Sequence, residues 1–208
     1  MNKRRVLWGF LIVAVLAGIF GLYSAGVFTK KEPVYITVVL NGDKVEDEQG
    51  AINAIKMYIK EADDEKGKIN GHPVELIIES VKGTQAEIEA AAEKIVQENK
   101  SMIVIGNGYS GPAITMGDVF ETNQIPAITS GAGTPAVTEG NDWFFRVIND
   151  NISQGKFIAE YATAILGYKK AAIIYDNNEY GRSLSSAFED TFTEQRGMVL
   201  RRVIFIES

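Results

Sequence analysis

The stretch that decides the fold is residues 102–135, with the sequence MIVIGNGYSGPAITMGDVFETNQIPAITSGAGTP. Two short apolar runs, Met102–Ile105 and Pro126–Thr129, each end in a loop of small residues, and a helix is predicted between them at Pro112–Thr122. Pro112 suits the first position of that helix. A strand, a helix and a second strand form a βαβ unit, whose strands must be parallel. The stretch therefore predicts a parallel sheet.

The two loops that follow these strands predict a binding site. The first loop is Gly106–Gly111 and contains Ser110, and the second is Ser130–Thr134. In parallel sheets, ligands bind just beyond the carboxyl ends of the strands. Glycine lets a ligand approach the backbone, and a hydroxyl group can donate or accept a hydrogen bond. Either loop alone is compatible with an ordinary turn, but two adjacent loops of this composition favour a polar binding site.

The rest of the chain alternates strand-like and helix-like segments. Apolar, β-branched runs predict further strands, and apolar residues at helical spacing predict the helices between them. The predicted strands are Tyr35–Leu40, Val74–Glu79, Ala171–Tyr175 and Val199–Ile206, and the predicted helices are Gly50–Asp63, Gln85–Glu98, Gln154–Leu166 and Ser183–Gln195. Strand–helix alternation of this kind indicates an α/β fold with a parallel sheet covered by helices on both faces.

Composition excludes several kinds of site. The 208 residues include no cysteine, which excludes disulfides, thiolate metal sites, a cysteine nucleophile and a lipid-bearing cysteine. The single histidine, His72, is predicted in an exposed turn at Lys66–Pro73 and leaves no histidine cluster for a metal. The acidic run Glu46–Glu48 is predicted to stabilise the next helix through its dipole. A metal site made of these three carboxylates is the weaker alternative, because neighbouring side chains point in different directions.

The N-terminus predicts export. Val6–Phe28 contains no charged residue and is long enough to cross a bilayer as a helix. Basic residues within positions 1–5 place the start of the chain in the cytoplasm, so the body is expected outside. Either a retained transmembrane anchor or a cleaved secretory signal fits this segment, and Ser24–Gly26 offers small residues for cleavage.

Catalytic signatures are absent from the sequence. It contains no phosphate-binding loop, no nucleophile elbow and no His-Glu-x-x-His motif. Gly106-Asn107-Gly108 follows a strand, but Pro112 occupies the place of the third glycine in a dinucleotide fingerprint. We therefore expect no catalytic residue, no metal and no cofactor. The chain has a net charge of −6, and because residues 1–31 carry five basic and no acidic residues, the body carries −11. An acidic body argues against a nucleic-acid partner.

Several motifs, taken together, resemble the type I periplasmic binding proteins, and in particular their leucine/isoleucine/valine-binding family. Similarity runs from about Tyr35 to the end of the chain. The matching pieces are Gly67–Leu76, Val104–Gly106 with Ser110–Gly111, Ile125–Ser130, Phe144–Val147 with Gln154–Gly155, and Ile174–Asp176 through Tyr180–Gly181.

The resemblance implies two Rossmann-like lobes that close on a ligand in the cleft between them. Lobe one is expected at residues 34–148 and the beginning of an incomplete, truncated lobe two at residues 149–208. By resemblance, Ser110 with Gly111 binds the carboxylate of an amino acid, and Ala132, Gly133 and Thr134 supply a carbonyl and a hydroxyl. By the same resemblance, Tyr180 of lobe two is expected to pack over the ligand. Two departures are visible: Asn41–Lys44 is short and lacks the family's aromatic residue, and Gly133 stands where a hydroxyl-bearing residue is common.

These observations predict an extracytoplasmic solute-binding protein. Its expected partners are a small polar ligand, most simply an amino acid, and the membrane subunits of an ABC importer. The N-terminal helix is expected to contact the membrane. The alternative is the ligand-binding ectodomain of a membrane sensor, in which closure is signalled through that helix to a fused or associated signalling module. An enzyme built on the same sheet is a third reading, which the missing motifs disfavour.

Overall fold

The computed structural model of the protein describes residues 14–18, 20–21, 31–42, 49–61 and 68–205. The predicted basic segment 1–5 and the acidic run Glu46–Glu48 lie outside these residues. Of the predicted apolar segment 6–28, only 14–18 and 20–21 are described, and they are helical with exposed side chains. Within the described ranges, no helix is long and apolar enough to cross a membrane.

The larger of two sheets has six strands in the order β2-β3-β1-β4-β5-β6. All neighbouring pairs are parallel except β2 with β3, which form a hairpin. The strands are β1 (Val34–Asn41), β2 (Lys68–Ile69), β3 (His72–Val81), β4 (Ser101–Ile105), β5 (Ala127–Thr129) and β6 (Phe144–Arg146), and the helices between them are α1 (Gln49–Glu61), α2 (Gln85–Glu98) and α3 (Ser110–Thr122). The predicted α/β fold is confirmed.

Strand β1 is central and is buried on both faces, as expected for an inner parallel strand. Val39 faces the main core, which α2 and α3 cover. Val38 and Leu40 face the opposite side, where Ile52 of α1 packs on them. The sheet therefore has helices on both faces, and its loops are left free to build a site at the carboxyl edge.

A second, two-stranded sheet follows. It consists of β7 (Lys170–Asp176) and β8 (Met198–Phe205), which are parallel and joined by α5 (Glu179–Glu194); α4 (Asn151–Glu160) precedes them and continues into a π-helical turn, Tyr161–Ile165. Helix α4 packs closely on α5 at Gly155, where a Cβ atom would lie 2.8 Å from the carbonyl oxygen of Leu184. Gly167, with φ of 70°, ends the helical segment.

The structure corrects three local predictions. Helix α3 begins at Ser110, so Pro112 is its third residue, which is tolerated because first-turn N–H groups have no partner within the helix. Helix α5 begins at Glu179, because Asn178 caps it, and Tyr180 therefore lies in a helical turn and not in a loop. The predicted turn around His72 is the β2–β3 hairpin, whose antiparallel pairing departs from the all-parallel prediction.

His72 is accordingly the first residue of β3. Its Nδ1 lies 2.8 Å from the carbonyl oxygen of Glu32, so the ring contributes to the attachment of the chain before β1. The hairpin turn itself consists of Asn70 and Gly71, both with positive φ (53° and 77°). Two such residues in succession are typical of the turn that joins tightly paired antiparallel strands.

Candidate functional site

A cavity of about 610 Å³ lies between the carboxyl edge of the first sheet and the beginning of α5. We call it the cleft. The first sheet contributes the end of β1, the first turn of α3 and the loop after β5, and the second sheet contributes the end of β7 and the first turn of α5. The lining residues are Asn41, Gly108, Tyr109, Ser110, Gly111, Pro112, Gly131, Asp176, Asn178, Glu179 and Tyr180. The structure therefore brings the predicted residues Ser110, Gly111 and Tyr180 together.

The side of the cleft formed by α3 is suited to an anion. The N–H groups in the first turn of a helix have no intrahelical partner, and the helix dipole is positive there. Ser110 is buried, and its Oγ accepts a hydrogen bond from the backbone N–H of Thr134 at 3.3 Å. Because that contact uses an oxygen lone pair, the hydroxyl proton of Ser110 can donate to a carboxylate in the cleft.

The opposite side of the cleft is acidic. Asp176 and Glu179 line it, and among the described residues no lysine or arginine does. Glu179 forms a salt bridge with Arg182, whereas Asp176 accepts a hydrogen bond from the Asn178 amide at 3.0 Å. Asp176 is thus a carboxylate hydrogen-bonded to a neutral amide, and its negative charge suits a cationic group of a ligand.

The loop Ala132–Thr134 lies beside Ser110 but does not line the cleft. Ala132 and Thr134 are buried. The hydroxyl of Thr134 donates to the backbone oxygen of Glu179 at 3.0 Å, and its carbonyl oxygen accepts from Arg146 Nη1 at 3.0 Å. Helix α5 therefore covers this loop, and its role in ligand binding, including that of Gly133, stays a prediction.

A second residue that joins the two sheets is Asn151, which precedes the helix predicted at Gln154–Leu166. It is completely buried. Its backbone N–H donates to the carbonyl oxygen of Gly133 at 2.8 Å, and its side-chain Nδ2 donates to Ser183 Oγ at 2.7 Å and to the Tyr180 carbonyl oxygen at 3.1 Å. Asn151 thus binds the loop after β5 through its backbone and the first turn of α5 through its side chain, and it adds to the direct contact of Thr134 with α5.

Asp150, immediately before Asn151, fixes the beginning of α4. Its carboxylate accepts a hydrogen bond from the Ser153 N–H at 2.7 Å, as is typical of a helix N-cap. This hydrogen bond lowers the pKa of Asp150, and the nearby charge of Arg146 acts in the same direction. The helix that carries Asn151 is therefore anchored by an ionised cap.

The described residues offer no ligand set for a metal ion. No group of three or more His, Asp or Glu side chains there is arranged to hold an ion. The acidic run considered as an alternative metal site, Glu46–Glu48, lies outside the described residues.

Comparison with known proteins identifies relatives. The chain is 32% identical over 122 residues to an amino acid binding protein of Pseudomonas aeruginosa, covering 58% of this chain and 33% of that protein. It is 29% identical to the Leu/Ile/Val-binding protein homolog 3 of Brucella melitensis, covering 76% of this chain and 41% of that protein. The crystal structure of a leucine-binding protein from Thermotoga maritima superposes with a TM-score of 0.69 at 29% identity, covering 83% of this chain and 49% of that one.

The chain thus spans between a third and about half of the length of these relatives. The sequence profile of the family described as "Periplasmic binding protein" matches residues 38–205. That match includes every strand of both sheets except the first residues of β1. It also includes all residues that line the cleft. The chain belongs to the type I periplasmic binding proteins, within the branched-chain amino acid family.

Proposed function

We propose that the protein is an extracytoplasmic solute-binding protein that binds an α-amino acid in the cleft and delivers it to an ABC importer. One observation carries the proposal: the anion-binding first turn of α3 and the carboxylate of Asp176 line the same cavity. An α-amino acid carries a carboxylate and an ammonium group, so it complements both sides of the cleft at once.

In this arrangement each residue has a defined role. The carboxylate accepts hydrogen bonds from the Ser110 hydroxyl and from the N–H groups of Ser110 and Gly111. The ammonium group pairs with Asp176. Tyr180, whose side chain is partly exposed at the cleft, covers the ligand. Ala132–Thr134 supports Ser110 from behind through the Thr134 N–H.

The same proposal assigns the two sheets to two lobes, residues 34–148 and residues from 149 onward. Asn151 and Thr134 lie where the lobes meet. The names of the relatives given above describe binding proteins, and none describes a sensor. We therefore prefer transport to the sensor alternative.

Export of the body is part of the proposal. Val6–Phe28 is uncharged and follows Lys3, Arg4 and Arg5, which supports an anchor or signal with the body outside. Protease added to intact cells should remove the body and leave cytosolic markers intact. N-terminal sequencing of the mature protein then distinguishes a retained anchor from a cleaved signal. A body that resists protease and fractionates with cytosol would contradict this localisation.

Ligand binding is tested by equilibrium dialysis of the purified chain against an equimolar mixture of the twenty amino acids. At least one amino acid should be retained, and its methyl ester and its N-acetyl derivative should both bind more weakly, since each removes one charge that the cleft complements. The Ser110→Ala variant should retain less. If no amino acid is retained, or if retention is the same in Ser110→Ala, the proposed function is wrong.

A further inference from the structure

Three glycines line the cleft, and two of them face open space. Gly131 is the exception, because a Cβ atom there would lie 2.7 Å from the carbonyl oxygen of Gly108 and 2.9 Å from its Cα. These are backbone atoms, so a side chain at position 131 would push the loop after β5 away from the loop after β4. The glycine at 131 is therefore needed for the close contact between the two loops.

The other two glycines, Gly108 and Gly111, have different surroundings. A Cβ atom on either residue would have no atom of the described residues within 4 Å, apart from its chain neighbours and, for Gly111, the backbone of α3. Neither residue has the positive φ that favours glycine. Gly111 is the second residue of α3, where alanine would restrict the unfolded chain more than glycine does. The fold therefore does not require glycine at these two positions.

Both positions border the space that the proposed function gives to the ligand. They flank Tyr109 and Ser110 in the chain, and they line the same cavity of about 610 Å³. In an α-helix the Cα–Cβ bond tilts toward the N-terminus of the helix. A side chain on Gly111 would therefore project toward the end of α3 at which the ligand's carboxylate is expected. A side chain on Gly108 would take up part of the cavity that this residue lines.

We propose that Gly108 and Gly111 are specificity-determining residues, which keep the space beside Ser110 free for an amino-acid side chain larger than a methyl group. This inference rests on the proposed function and names the residues that limit the size of its ligand. A ligand such as alanine would leave part of the cavity unfilled, and the lining atoms there would lose van der Waals contacts. The apolar surface for a larger side chain comes from residues that line the same cavity, namely Tyr109, Pro112 and Tyr180.

The melting temperature separates the two kinds of glycine without any ligand. Gly111→Ala should raise it by about 1–4 °C, because alanine restricts the unfolded chain, and Gly108→Ala should not lower it. Gly131→Ala is the contrasting variant and should lower it, because its Cβ meets the backbone of Gly108. A decrease in Gly108→Ala or Gly111→Ala as large as that in Gly131→Ala overturns the inference, since both glycines would then serve the fold.

Equilibrium dialysis of the purified 208-residue chain against an equimolar mixture of the twenty amino acids measures the effect on ligand size. The wild type should retain an amino acid larger than alanine best. Gly108→Val and Gly111→Val should each lower the ratio of its retention to that of alanine at least about tenfold, because one methylene group too many in a filled pocket discriminates by about that factor. The alanine variants, whose folding the melting temperature establishes, should show a smaller loss in the same direction.

Gly50→Val is the matched control. Gly50 is also the second residue of its helix, α1, and it is exposed with no described atom near its Cβ position, so this variant should leave the ratio unchanged. If the wild type retains no amino acid, the proposed function is wrong and the inference falls with it. If the wild type retains glycine or alanine best, or if Gly108→Val and Gly111→Val give the same ratio as Gly50→Val, the inference is wrong and the proposed function stands.

Discussion

Replacement of Asn151 by alanine should loosen the contact between the two sheets. The buried side chain donates hydrogen bonds to Ser183 Oγ at 2.7 Å and to the Tyr180 carbonyl oxygen at 3.1 Å. A typical intramolecular hydrogen bond contributes about 0.5–1.5 kcal/mol net, so the loss of both predicts a decrease of about 1–3 kcal/mol in the free energy of unfolding. The side-chain Oδ1 is buried with no partner in the described part of the chain, so its removal offsets part of that loss.

The measurement is urea-induced unfolding followed by circular dichroism. Asn149→Ala is the matched control, because Asn149 is exposed and contributes its backbone oxygen to Gln154 Nε2, a bond that alanine keeps. A double-mutant cycle with Ser183→Ala isolates the direct contact and should give a coupling energy of about 1 kcal/mol.

Two results would refute the reasoning. Equal unfolding free energies for Asn151→Ala and Asn149→Ala would mean that the buried amide does not hold the sheets together. A cycle in which the effects of Asn151→Ala and Ser183→Ala simply add would mean that the 2.7 Å contact contributes nothing of its own.

Ser110, Asp150 and Gly155 give three further predictions. Ser110→Ala should weaken amino-acid binding about 10- to 150-fold, the loss of a hydrogen bond to a charged group, as measured by calorimetry; unchanged affinity would remove the carboxylate site. Asp150→Asn should abolish a pH-dependent part of the free energy of unfolding. The Ser153 N–H lowers the pKa of Asp150 in the folded state. The stabilisation by the ionised carboxylate is therefore complete above the unfolded pKa of about 3.9 and is lost as the pH falls through the folded pKa. Unfolding curves between pH 2 and 7 check this, and identical pH dependence in wild type and variant would contradict it. Gly155→Ala should lower the free energy of unfolding by about 1–3 kcal/mol, because its Cβ would lie 2.8 Å from a carbonyl oxygen of α5. Gly50→Ala is the control: it has no atom nearby on exposed α1, so it should raise the free energy of unfolding. Thermal unfolding that shifts both variants in the same direction would contradict the packing argument.

The sequence predicts the elements well because their signals are local. Apolar runs and helical spacing identify every long strand and helix, although the helix predicted from Gln154 begins at Asn151, after the cap Asp150. The boundaries that differ depend on turn chemistry. Asn178 caps α5 directly after β7, and Asn107 Oδ1 accepts from the Tyr109 N–H before α3, so both helices begin earlier than their apolar residues indicate.

The site is less predictable because it depends on how the two sheets meet. Ser110 and Tyr180 are separated in the chain by α3, β5, β6, α4 and β7, and only the packing of α5 on the loop after β5 brings them to one cavity. The burial of Thr134 and the bridging role of Asn151 result from the same packing. An asparagine after an aspartate at a helix start is common, so no local signal distinguishes Asn151 from an exposed one.

The glycine at position 133 and the buried side chain of Asn151 depend on each other. The backbone N–H of Asn151 donates to the Gly133 carbonyl oxygen at 2.8 Å, which fastens α4 to the loop after β5. In that position a Cβ atom on residue 133 would lie 2.2 Å from Asn151 Oδ1, well inside contact distance. A hydroxyl-bearing residue, which the family resemblance leads one to expect at 133, is therefore incompatible with the buried Asn151 as it stands. The glycine permits a direct backbone bond between the two sheets and offers no side chain to a ligand. The proposed function therefore assigns polar recognition on this side of the cleft to Ser110 and the first turn of α3.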